Sequence, residues 1–339
     1  MGFEKYILCQ LETHPAMTAQ DIVKLCYQAA YGPGHLLADV RRAEEYFDAE
    51  FKDVAAVNVP LVESISDDYC RINLGAWKNT SMPSKWLFEL FRLSADGAEK
   101  NEKLLLKYLE TAAKYIEDEE FLVKYEANGM PAVHHSDIYR ETENPSYRVV
   151  DRRLIRLLPV LQKAAEKAEE ESVVVIAIDG RAGSGKSTMA EQLKKVVGGE
   201  IIRMDDFFLP MELRTAERLS SPGGNIHYER FLNEVLPAVK QVGDFSYRKF
   251  DCSVMDYSAD VIAANSRFRI VEGAYSGHPR FSDYADIKVF SDVEPDVQMQ
   301  RIIHRNGIEM AELFRTRWIP MEEAYFTAYG TKEKADVIV

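Results

Sequence analysis

The sequence predicts an α/β domain, with a parallel sheet flanked by helices, over residues 172–339, preceded by a mostly α-helical domain over residues 1–150. Two observations carry this prediction. In the second half, short apolar runs rich in β-branched residues alternate with helical segments, which is typical of parallel sheets buried on both faces. In the first half, apolar residues recur at helical spacing and indicate amphipathic helices. We interpret residues 151–171 as a helical connector.

Size, composition and charge limit the classes of function. A chain of 339 residues can bury two cores. Its formal charge of −13 disfavours a general nucleic-acid partner, because contacts to phosphate backbones need a basic surface. No apolar run approaches the roughly 18 residues of a membrane helix, and the N-terminus lacks an apolar signal core. We therefore expect a cytoplasmic protein with no membrane partner.

The four cysteines are scattered and form no C-x-x-C pair. This usage is typical of a reducing compartment and disfavours a disulfide or zinc framework. We expect all four to be small buried side chains: Cys9, Cys26, Cys70 and Cys252.

Start and stop signals place several helices in the first half. Thr18 is a suitable N-cap for a helix that reaches Ala30 and is broken by the Tyr-Gly-Pro-Gly run at 31–34. Pro83 is a favourable helix start. Further helices are predicted over 39–52 and 99–116, and a strand over 57–65. In the connector, Pro159 is expected to kink or break the helix, and the charged run at 163–171 is expected to face solvent.

Two polar and aromatic stretches of the first half, 31–35 and 131–148, are not explained by packing alone. Histidines, hydroxyls and arginines in loops suit a small-ligand or anion site, but they equally suit caps and turns, and both interpretations stay open. Neighbouring residues of a strand point to opposite faces, so adjacent histidines are poorly placed to share a metal ion. The candidates are His35, His134, His135 and Arg140, with Arg71 and Asn73 as further members.

The strongest motif follows an apolar strand at 173–178. There the chain fills the pattern G-x-x-x-x-G-K-[ST] with Gly180, Gly185, Lys186 and Ser187. Glycines allow a tight loop whose backbone N–H groups face phosphate oxygens, and the following helix N-terminus adds its dipole. Lysine reaches the β- and γ-phosphates, and the serine hydroxyl can bind Mg²⁺. The predicted nucleotide-binding residues are Gly180, Gly183, Ser184, Gly185, Lys186, Ser187 and Thr188.

Acidic residues follow two later strands of the predicted sheet. Further strands are expected over 201–204, 268–271, 287–290 and 335–338, and a helix over 187–197 ends at Gly198. Asp205 and Asp206 come after the second strand, and Glu272 comes after the third. Ligands of open α/β sheets bind at the carboxyl ends of the strands, so these side chains and the glycine-rich loop are expected at one edge.

These motifs, in this order, resemble the uridine kinase and phosphoribulokinase group of P-loop kinases. The matching stretches begin with DGRAGSGKST at 179–188, MDDFF at 204–208 and VEGA at 271–274, and continue with ADIKVF at 285–290, RIIHR at 301–305 and ADVI at 335–338. The resemblance covers residues 172–339 and does not extend to the first half. It implies a P-loop NTPase-type sheet and phosphoryl transfer from ATP or GTP, with Mg²⁺, to a hydroxyl of a small molecule.

The resemblance also implies residue roles. Lys186 is assigned to the phosphates, Asp205 to the acceptor hydroxyl, and Glu272 joins Ser187 near Mg²⁺. Arg301 and Arg305 are assigned to a mobile lid, where arginine charge stabilises the transition state. The alternatives are a helix cap for Asp205, a solvent-facing carboxylate for Glu272, and surface ion pairs for the arginines. Arg315 and Arg317 complete this basic cluster, and the pairing candidates are Glu309, Glu312, Glu322 and Glu323.

The acceptor side departs from the family. Uridine kinases carry Asp-His-Pro for the ribose hydroxyls, whereas this chain has Ile226 and Tyr228 at the flanking positions. An apolar residue cannot replace a hydroxyl acceptor, so uridine is only the default substrate. The substrate candidates are Asp206, His227, Tyr247 and Arg248.

Two other functions remain alternatives to a kinase. One is an ATP-binding regulatory module that hydrolyses slowly and binds a ligand or partner through its first half. The other, a polynucleotide 5′-kinase, is disfavoured by the charge of −13. The acceptor, the choice between ATP and GTP, the role of residues 1–150 and the oligomeric state stay open at this stage.

Overall fold

A computed structural model of the protein describes residues 2–98, 101–251 and 253–339, and the chain divides between Arg156 and Leu157 into two units. The division falls inside the segment interpreted as a connector. Residue 99, the predicted start of a helix, and Cys252 lie outside the described residues. Within the described ranges, no helix is both long and apolar enough to cross a bilayer.

The first unit is mostly helical, as predicted. Helix α2 begins with a reciprocal capping box between Thr18 and Asp21, and it ends at Tyr31, before Gly32 with φ 58°. Helix α5 starts directly after Pro83, as expected. The helices are α1 (Glu4–Thr13), α2 (Ala19–Tyr31), α3 (Val40–Asp53), α4 (Leu74–Trp77), α5 (Ser84–Asp96), α6 (Glu102–Ala112), α7 (Glu119–Ala127) and α8 (Asp137–Glu143).

A three-stranded antiparallel sheet completes the first unit. Its strands are β1 (Val62–Ser64), β2 (Tyr69–Asn73) and β3 (Tyr147–Asp151), in the order β1-β2-β3. Only the end of the predicted strand over 57–65 is confirmed, as β1. The sequence did not indicate the pairing of β2 with β3, because it joins segments far apart in the chain. The core lies mainly between α1, α2 and α6; fully buried members are Ile7, Val23, Leu25, Cys26, Ala29 and Leu105.

The prediction of buried cysteines is correct for Cys26 and Cys70, which are fully buried, and wrong for Cys9, which is exposed. Helix α1 turns Tyr6, Ile7 and Gln10 toward the core and leaves Cys9 on its outer side.

The second unit contains the predicted parallel sheet. Its strands are β4 (Val174–Gly180), β5 (Glu200–Arg203), β8 (Phe268–Glu272), β9 (Ile287–Ser291) and β10 (Val337–Ile338), in the order β10-β9-β4-β8-β5. The first strand in the chain is therefore the central one, with β8 on one side and β9 on the other. Every residue of β4 is buried. The loop after β4 leaves the sheet where the strand order reverses, which is the usual ligand position of such folds.

A second, two-stranded sheet in this unit was not predicted. It is an antiparallel hairpin of β6 (Phe245–Asp251) and β7 (Asp256–Ala263), with a bulge between Arg248 and Phe250. Most residues of β7 are exposed and only Ala263 is buried, so the strand gives only a weak apolar signal in the sequence.

The helices of the second unit are α9 (Leu158–Glu170), α10 (Lys186–Val197), α11 (Ala216–Ser220), α12 (Tyr228–Arg230), α13 (Pro295–Leu313) and α14 (Ile319–Tyr329). Pro159 does not break a helix as expected. It lies in the first turn of α9, where its missing N–H is not needed. Helical geometry in α13 is interrupted at Gly307, with φ 80° and ψ 169°.

Candidate active site

The glycine-rich loop joins the end of β4 to the start of α10. Gly180, Gly183 and Gly185 all have positive φ, at 133°, 72° and 99°. A Cβ atom on Gly180 would lie 2.1 Å from the carbonyl oxygen of Ser291 on β9. Glycine is therefore needed at position 180 both for backbone conformation and for the close approach of β9. The loop has the conformation that a phosphate-binding loop requires.

Lys186 is the first residue of α10, and its side chain folds back over the loop. Its Nζ donates to the carbonyl oxygens of Gly180 at 2.7 Å and Arg181 at 2.8 Å. Both partners are neutral backbone acceptors, so a phosphate oxygen can replace them without leaving a buried charge unpaired. The amine is thus positioned at the mouth of the loop.

Ser187, Glu272 and Arg203 form a linked polar group across three elements. Ser187 Oγ donates to Glu272 Oε2 at 3.2 Å, and Arg203 Nη1 donates to Glu272 Oε1 at 2.9 Å. Burial raises the pKa of the Glu272 carboxyl, and the charge of Asp205 adds to this effect, while Arg203 and Lys186 counteract it. The hydroxyl and carboxylate oxygens lie together at the carboxyl edge of the sheet. Oxygen donors of this kind fit Mg²⁺.

The adjacent Asp205 and Asp206 lie in different environments. The Asp205 side chain is exposed at the end of β5 and makes no hydrogen bond or ion pair within the described residues. Asp206 is buried, accepts a hydrogen bond from the Tyr247 hydroxyl at 3.2 Å, and lies 4.0 Å from Lys249 Nζ. Burial raises its pKa, and the Tyr247 bond partly offsets this rise. Of these two aspartates, Asp205 is the one whose carboxylate has no partner among the described residues, and its charge acts on Glu272.

The predicted acceptor residues are partly occupied by other contacts. Ile226 is fully buried in the core and forms a backbone bridge with Phe208. Tyr228 is buried, with the guanidinium of Arg218 3.5 Å and that of Arg280 4.3 Å from its ring centroid. The Ile226 side chain has no oxygen that could accept a hydrogen bond from a substrate hydroxyl, and the ring of Tyr228 is covered by two guanidinium groups.

Of the other substrate candidates, His227 lies 3.2 Å from Glu229 through its Nδ1. Arg248 donates twice to Glu234 Oε1, at 3.1 and 2.8 Å. The structure therefore brings Asp206 and Tyr247 together at the end of β5, whereas Arg248 is paired with Glu234.

The two arginines assigned to a lid have different contacts. Arg301 Nη1 donates to the carbonyl oxygen of Gly183 at 3.1 Å, so it touches the glycine-rich loop directly. Arg305, one turn later, donates to Asn306 Oδ1 at 2.7 Å. Within the described residues, only Arg301 of the pair contacts the loop.

The remaining two arginines of the basic cluster make local contacts. Arg315 pairs with Glu312 at 2.6 Å, and Arg317 lies over the ring of Trp318 at 4.8 Å. For Arg315, the alternative of a surface ion pair is the one that the structure shows.

Sequence reasoning missed a buried carboxylate at the base of the loop. Asp179 accepts hydrogen bonds from the backbone N–H groups of Gly180, Tyr275 and Gly277, at 2.8 to 3.0 Å, and from the Tyr325 hydroxyl at 2.8 Å. Burial raises its pKa. The signal was present, because Asp179 is the one charged residue of an otherwise apolar strand.

Helix α14 was also missed as a support of the loop. Arg181 Nε donates to Glu323 at 2.6 Å and Arg181 Nη1 pairs with Asp292, while the Ala182 N–H donates to Glu322 Oε2 at 2.9 Å. The sequence places Glu322 and Glu323 only as surface partners for arginines. In the structure Glu322 is buried, with 8% of its surface exposed.

The first unit contains a separate polar network on one face of α2. His135 Nδ1 lies 2.7 Å from Asp21 Oδ1, and His135 Nε2 lies 2.5 Å from the Tyr147 hydroxyl. Gln28 contacts that hydroxyl at 3.2 Å and accepts two hydrogen bonds from Arg71, at 2.9 and 3.2 Å. Hydrogen bonds from His135, Ser136 and Thr18 outweigh the effect of burial and lower the pKa of Asp21.

The other candidates of the first unit are distributed differently. His134 is exposed and contributes its backbone oxygen to Gln20, at 2.8 Å. Arg140 is exposed and pairs with Asp137. His35 packs edge-on against Tyr27 at 5.0 Å. The structure therefore joins His135 and Arg71 in one network and places His35, His134 and Arg140 elsewhere. Asn73, the remaining candidate, caps helix α4 by accepting a hydrogen bond from the Ala76 N–H at 2.9 Å.

No protein-family model and no curated protein matches the sequence. Several solved structures are similar to about half of the chain, and two of them carry kinase names. One, assigned as a possible uridine kinase from Bacillus stearothermophilus, is 17% identical, with 53% of this chain and 98% of that chain covered and a TM-score of 0.39.

Two more similar structures were found. A protein assigned as a fructose transport system kinase from Silicibacter sp. TM1040 is 19% identical over 54% of this chain and 98% of that chain, with a TM-score of 0.43. The YGR205w protein is 17% identical over 53% of this chain and 88% of that chain, with a TM-score of 0.37. The fold itself rests on the strand order and the loop conformation described above.

Proposed function

We propose that the second unit transfers a phosphoryl group from ATP or GTP to a hydroxyl of a small molecule. The observation that supports this most directly is the grouping of four features at one edge of the parallel sheet. These are the glycine-rich loop, the Ser187–Glu272 pair, the loop contact of Arg301 and the free carboxylate of Asp205. Phosphoryl transfer depends mainly on positioning and charge stabilisation, which these groups supply.

The donor side uses the loop and the first turn of α10. Backbone N–H groups of residues 183–188 and the amine of Lys186 would bind the phosphates of the nucleotide. Ser187 and Glu272 would hold Mg²⁺, which when bound neutralises phosphate charge. Arg301, now on the Gly183 carbonyl, is close enough to the loop to contribute positive charge there.

On the acceptor side, Asp205 would take the proton of the attacking hydroxyl. The acceptor oxygen forms a bond to the γ-phosphorus while the bond from that phosphorus to the β–γ bridging oxygen breaks, and the nucleoside diphosphate leaves. Asp205 is suited to this step because its carboxylate is exposed and unpaired within the described residues. Asp206 is less suited, since it is buried against Tyr247.

The acceptor is a hydroxyl-bearing nucleoside or a related metabolite. Uridine remains the default given by the resemblance. Ile226 and Tyr228 argue against the ribose contacts of uridine kinases, because Ile226 is apolar and fully buried and the buried ring of Tyr228 is covered by the guanidinium groups of two arginines. A changed hydroxyl pocket is expected to change substrate choice strongly.

The proposal is tested by ADP release from ATP in the presence of nucleosides, sugars, sugar phosphates and pantothenate-like alcohols. Asp205→Asn is expected to reduce acceptor-dependent turnover by at least about a hundredfold while nucleotide still binds. The matched control is Asp283→Asn. Asp283 is exposed and precedes β9, so it lies toward the opposite edge of the sheet. Unchanged turnover in Asp205→Asn would exclude the role given to this residue.

A nucleotide-sensing module is the second candidate, favoured by the network around Arg71 in the first unit. Arg71 is almost fully buried, and its hydrogen bonds go to the neutral oxygens of Gln10 and Gln28. Burial lowers the pKa of nearby Lys24 to about 8, and the charge of Arg71 adds to this effect. The pKa values of Asp21 and His135 in the same network are also lowered, and side chains with shifted pKa values are often grouped at ligand sites.

The two candidates differ in one measurement. A sensor is expected to bind ATP, change its hydrodynamic radius or proteolysis pattern, and release ADP at the same slow rate with every acceptor. A kinase is expected to release ADP faster with at least one acceptor of the panel. Acceptor-stimulated ADP release, with the phosphorylated acceptor recovered, would reject the sensor.

A further inference from the structure

Glu322 is a buried carboxylate that contacts the glycine-rich loop from α14. Its Oε2 accepts a hydrogen bond from the backbone N–H of Ala182 at 2.9 Å, and only 8% of its surface is exposed. It is the neighbour of Glu323, which is 40% exposed at its side chain and pairs with Arg181. Two adjacent glutamates of one helix thus hold adjacent residues of the loop, one from a buried position and one from the surface.

Few groups stabilise a negative charge at Glu322. Lys186 on α10 and the Ala182 N–H favour the ionised form, whereas Asp179 on β4 and the neighbouring Glu323 oppose it. Tyr275, after β8, also lies within electrostatic range. Arg181 is committed to Glu323 and Asp292. Burial raises the pKa of the Glu322 carboxyl to about 7.

Lys186 is also the residue that nucleotide phosphates would engage. In the structure its amine rests on two backbone carbonyls of the loop. When phosphate oxygens neutralise that amine, Glu322 loses its main stabilising charge and gains negative neighbours. Both changes favour the protonated carboxyl. The carbonyl oxygen of a carboxylic acid can still accept the Ala182 N–H, so protonation does not cost the loop this contact.

We propose that Glu322 is a positioning residue that couples nucleotide binding at the glycine-rich loop to the uptake of a proton. The inference rests on the nucleotide-binding part of the proposed function and requires no phosphoryl transfer. Below the pKa of free Glu322, the carboxyl is protonated with and without nucleotide, and affinity is greatest. Above the raised pKa of the complex, it is ionised in both states, and affinity is least.

The experiment is a calorimetric titration with ADP between pH 6 and 9, in paired buffers that differ in ionisation enthalpy. Glu322→Gln keeps an oxygen acceptor for Ala182 and removes the titration, and Glu323→Gln is the matched control. ADP's own ionisation is common to all three proteins. The unmodified protein and Glu323→Gln are expected to take up more protons per ADP than Glu322→Gln. Between pH 6 and 9 the ADP affinity of these two proteins should fall about tenfold more than that of Glu322→Gln, if binding raises the carboxyl pKa by about one unit.

Equal proton uptake in Glu322→Gln and the unmodified protein would overturn the inference while leaving nucleotide binding intact. Absence of ADP and ATP binding by the unmodified protein at every pH would overturn the proposed function and this inference with it. If Glu322→Gln does not fold, carbon-13 spectra of the unmodified protein with labelled glutamate carboxyls replace it. In these spectra, a glutamate carboxyl that titrates near neutral pH without ADP is expected to titrate at a higher pH with ADP bound. If the midpoint of its titration is the same with and without ADP, the coupling is rejected.

Discussion

The glycine-rich loop of the second unit and the α2 network of the first unit both concentrate polar groups, but they use them differently. Around the loop, Lys186 and Arg301 bond to backbone carbonyls and Asp205 is free within the described residues. In the α2 network, Asp21, His135 and Arg71 are bonded to other side chains. Side chains that donate only to backbone carbonyls can exchange these hydrogen bonds for contacts with a ligand. Groups bonded to one another mainly fix the structure around them.

Removing one cation from each region should separate these roles. Arg71→Met leaves the buried oxygen of Gln10 without its donor, and the oxygen of Gln28 keeps only the Tyr147 hydroxyl at 3.3 Å. We expect a loss of about 3 kcal/mol in the free energy of unfolding of the first unit. Lys186→Met should leave stability nearly unchanged and abolish measurable nucleotide binding. Arg140→Met, at an exposed ion pair, is the control for Arg71 and should cost less than about 0.5 kcal/mol.

Urea unfolding followed by tryptophan fluorescence measures the first unit, because Trp77 and Trp86 are buried there. Trp318→Phe removes the tryptophan of the second unit from the signal. If Arg71→Met has the same free energy of unfolding as the parent protein, the guanidinium does not stabilise the first unit, and a ligand-binding role for this network gains support.

The sequence was a good guide where function depends on local backbone geometry. Gly180, Lys186 and Ser187 lie within eight residues of one another, at the end of β4 and in the first turn of α10, and the apolar run before them marks the central strand. The five parallel strands were all predicted, because each is a short apolar run between helices. The contribution of α14 was not predictable, since the bond from Ala182 to Glu322 spans most of the unit.

The first unit was harder to predict for the same physical reason. The capping box of Thr18 and Asp21 is local and was partly recognised. The bond from Asp21 to His135 joins residues more than a hundred positions apart. Sequence spacing gave no reason to choose His135 over His134, although His135 contacts α2 through its side chain and His134 contacts it through its backbone oxygen.

The pH dependence of stability should distinguish two histidines of the first unit. Burial lowers the pKa of His135 to about 4, whereas the hydrogen bond to Glu63 raises the pKa of His14. The unfolded chain binds the His135 proton more readily, so stability is full above pH 6.5 and falls toward pH 4, by about 3 kcal/mol. His14 acts with the opposite sign. Its contribution is full below pH 6.5 and is lost as pH rises through its folded pKa.

Urea unfolding of Trp318→Phe proteins between pH 4 and 8 checks this prediction. His135→Gln should flatten the loss of stability below pH 6.5. His14→Gln should leave that loss unchanged and remove the loss of stability that His14 contributes as the pH rises above 6.5. His134→Gln, at the exposed neighbour, is the control and should follow the parent protein. An unchanged slope in His135→Gln would mean that another group carries the acid sensitivity.

The smallest expected effect concerns Arg301 and Arg305, one turn apart on α13. Arg301→Gln removes a charge that touches the loop at Gly183, and we expect about a tenfold loss of acceptor-dependent turnover, equivalent to about 1.4 kcal/mol of transition-state stabilisation. Arg305→Gln removes a charge held by Asn306 and should cost less. Turnover and nucleotide affinity are measured for both variants under the same conditions. A larger loss in Arg305→Gln would show that the helix before Gly307 moves during the reaction and carries Arg305 to the phosphates.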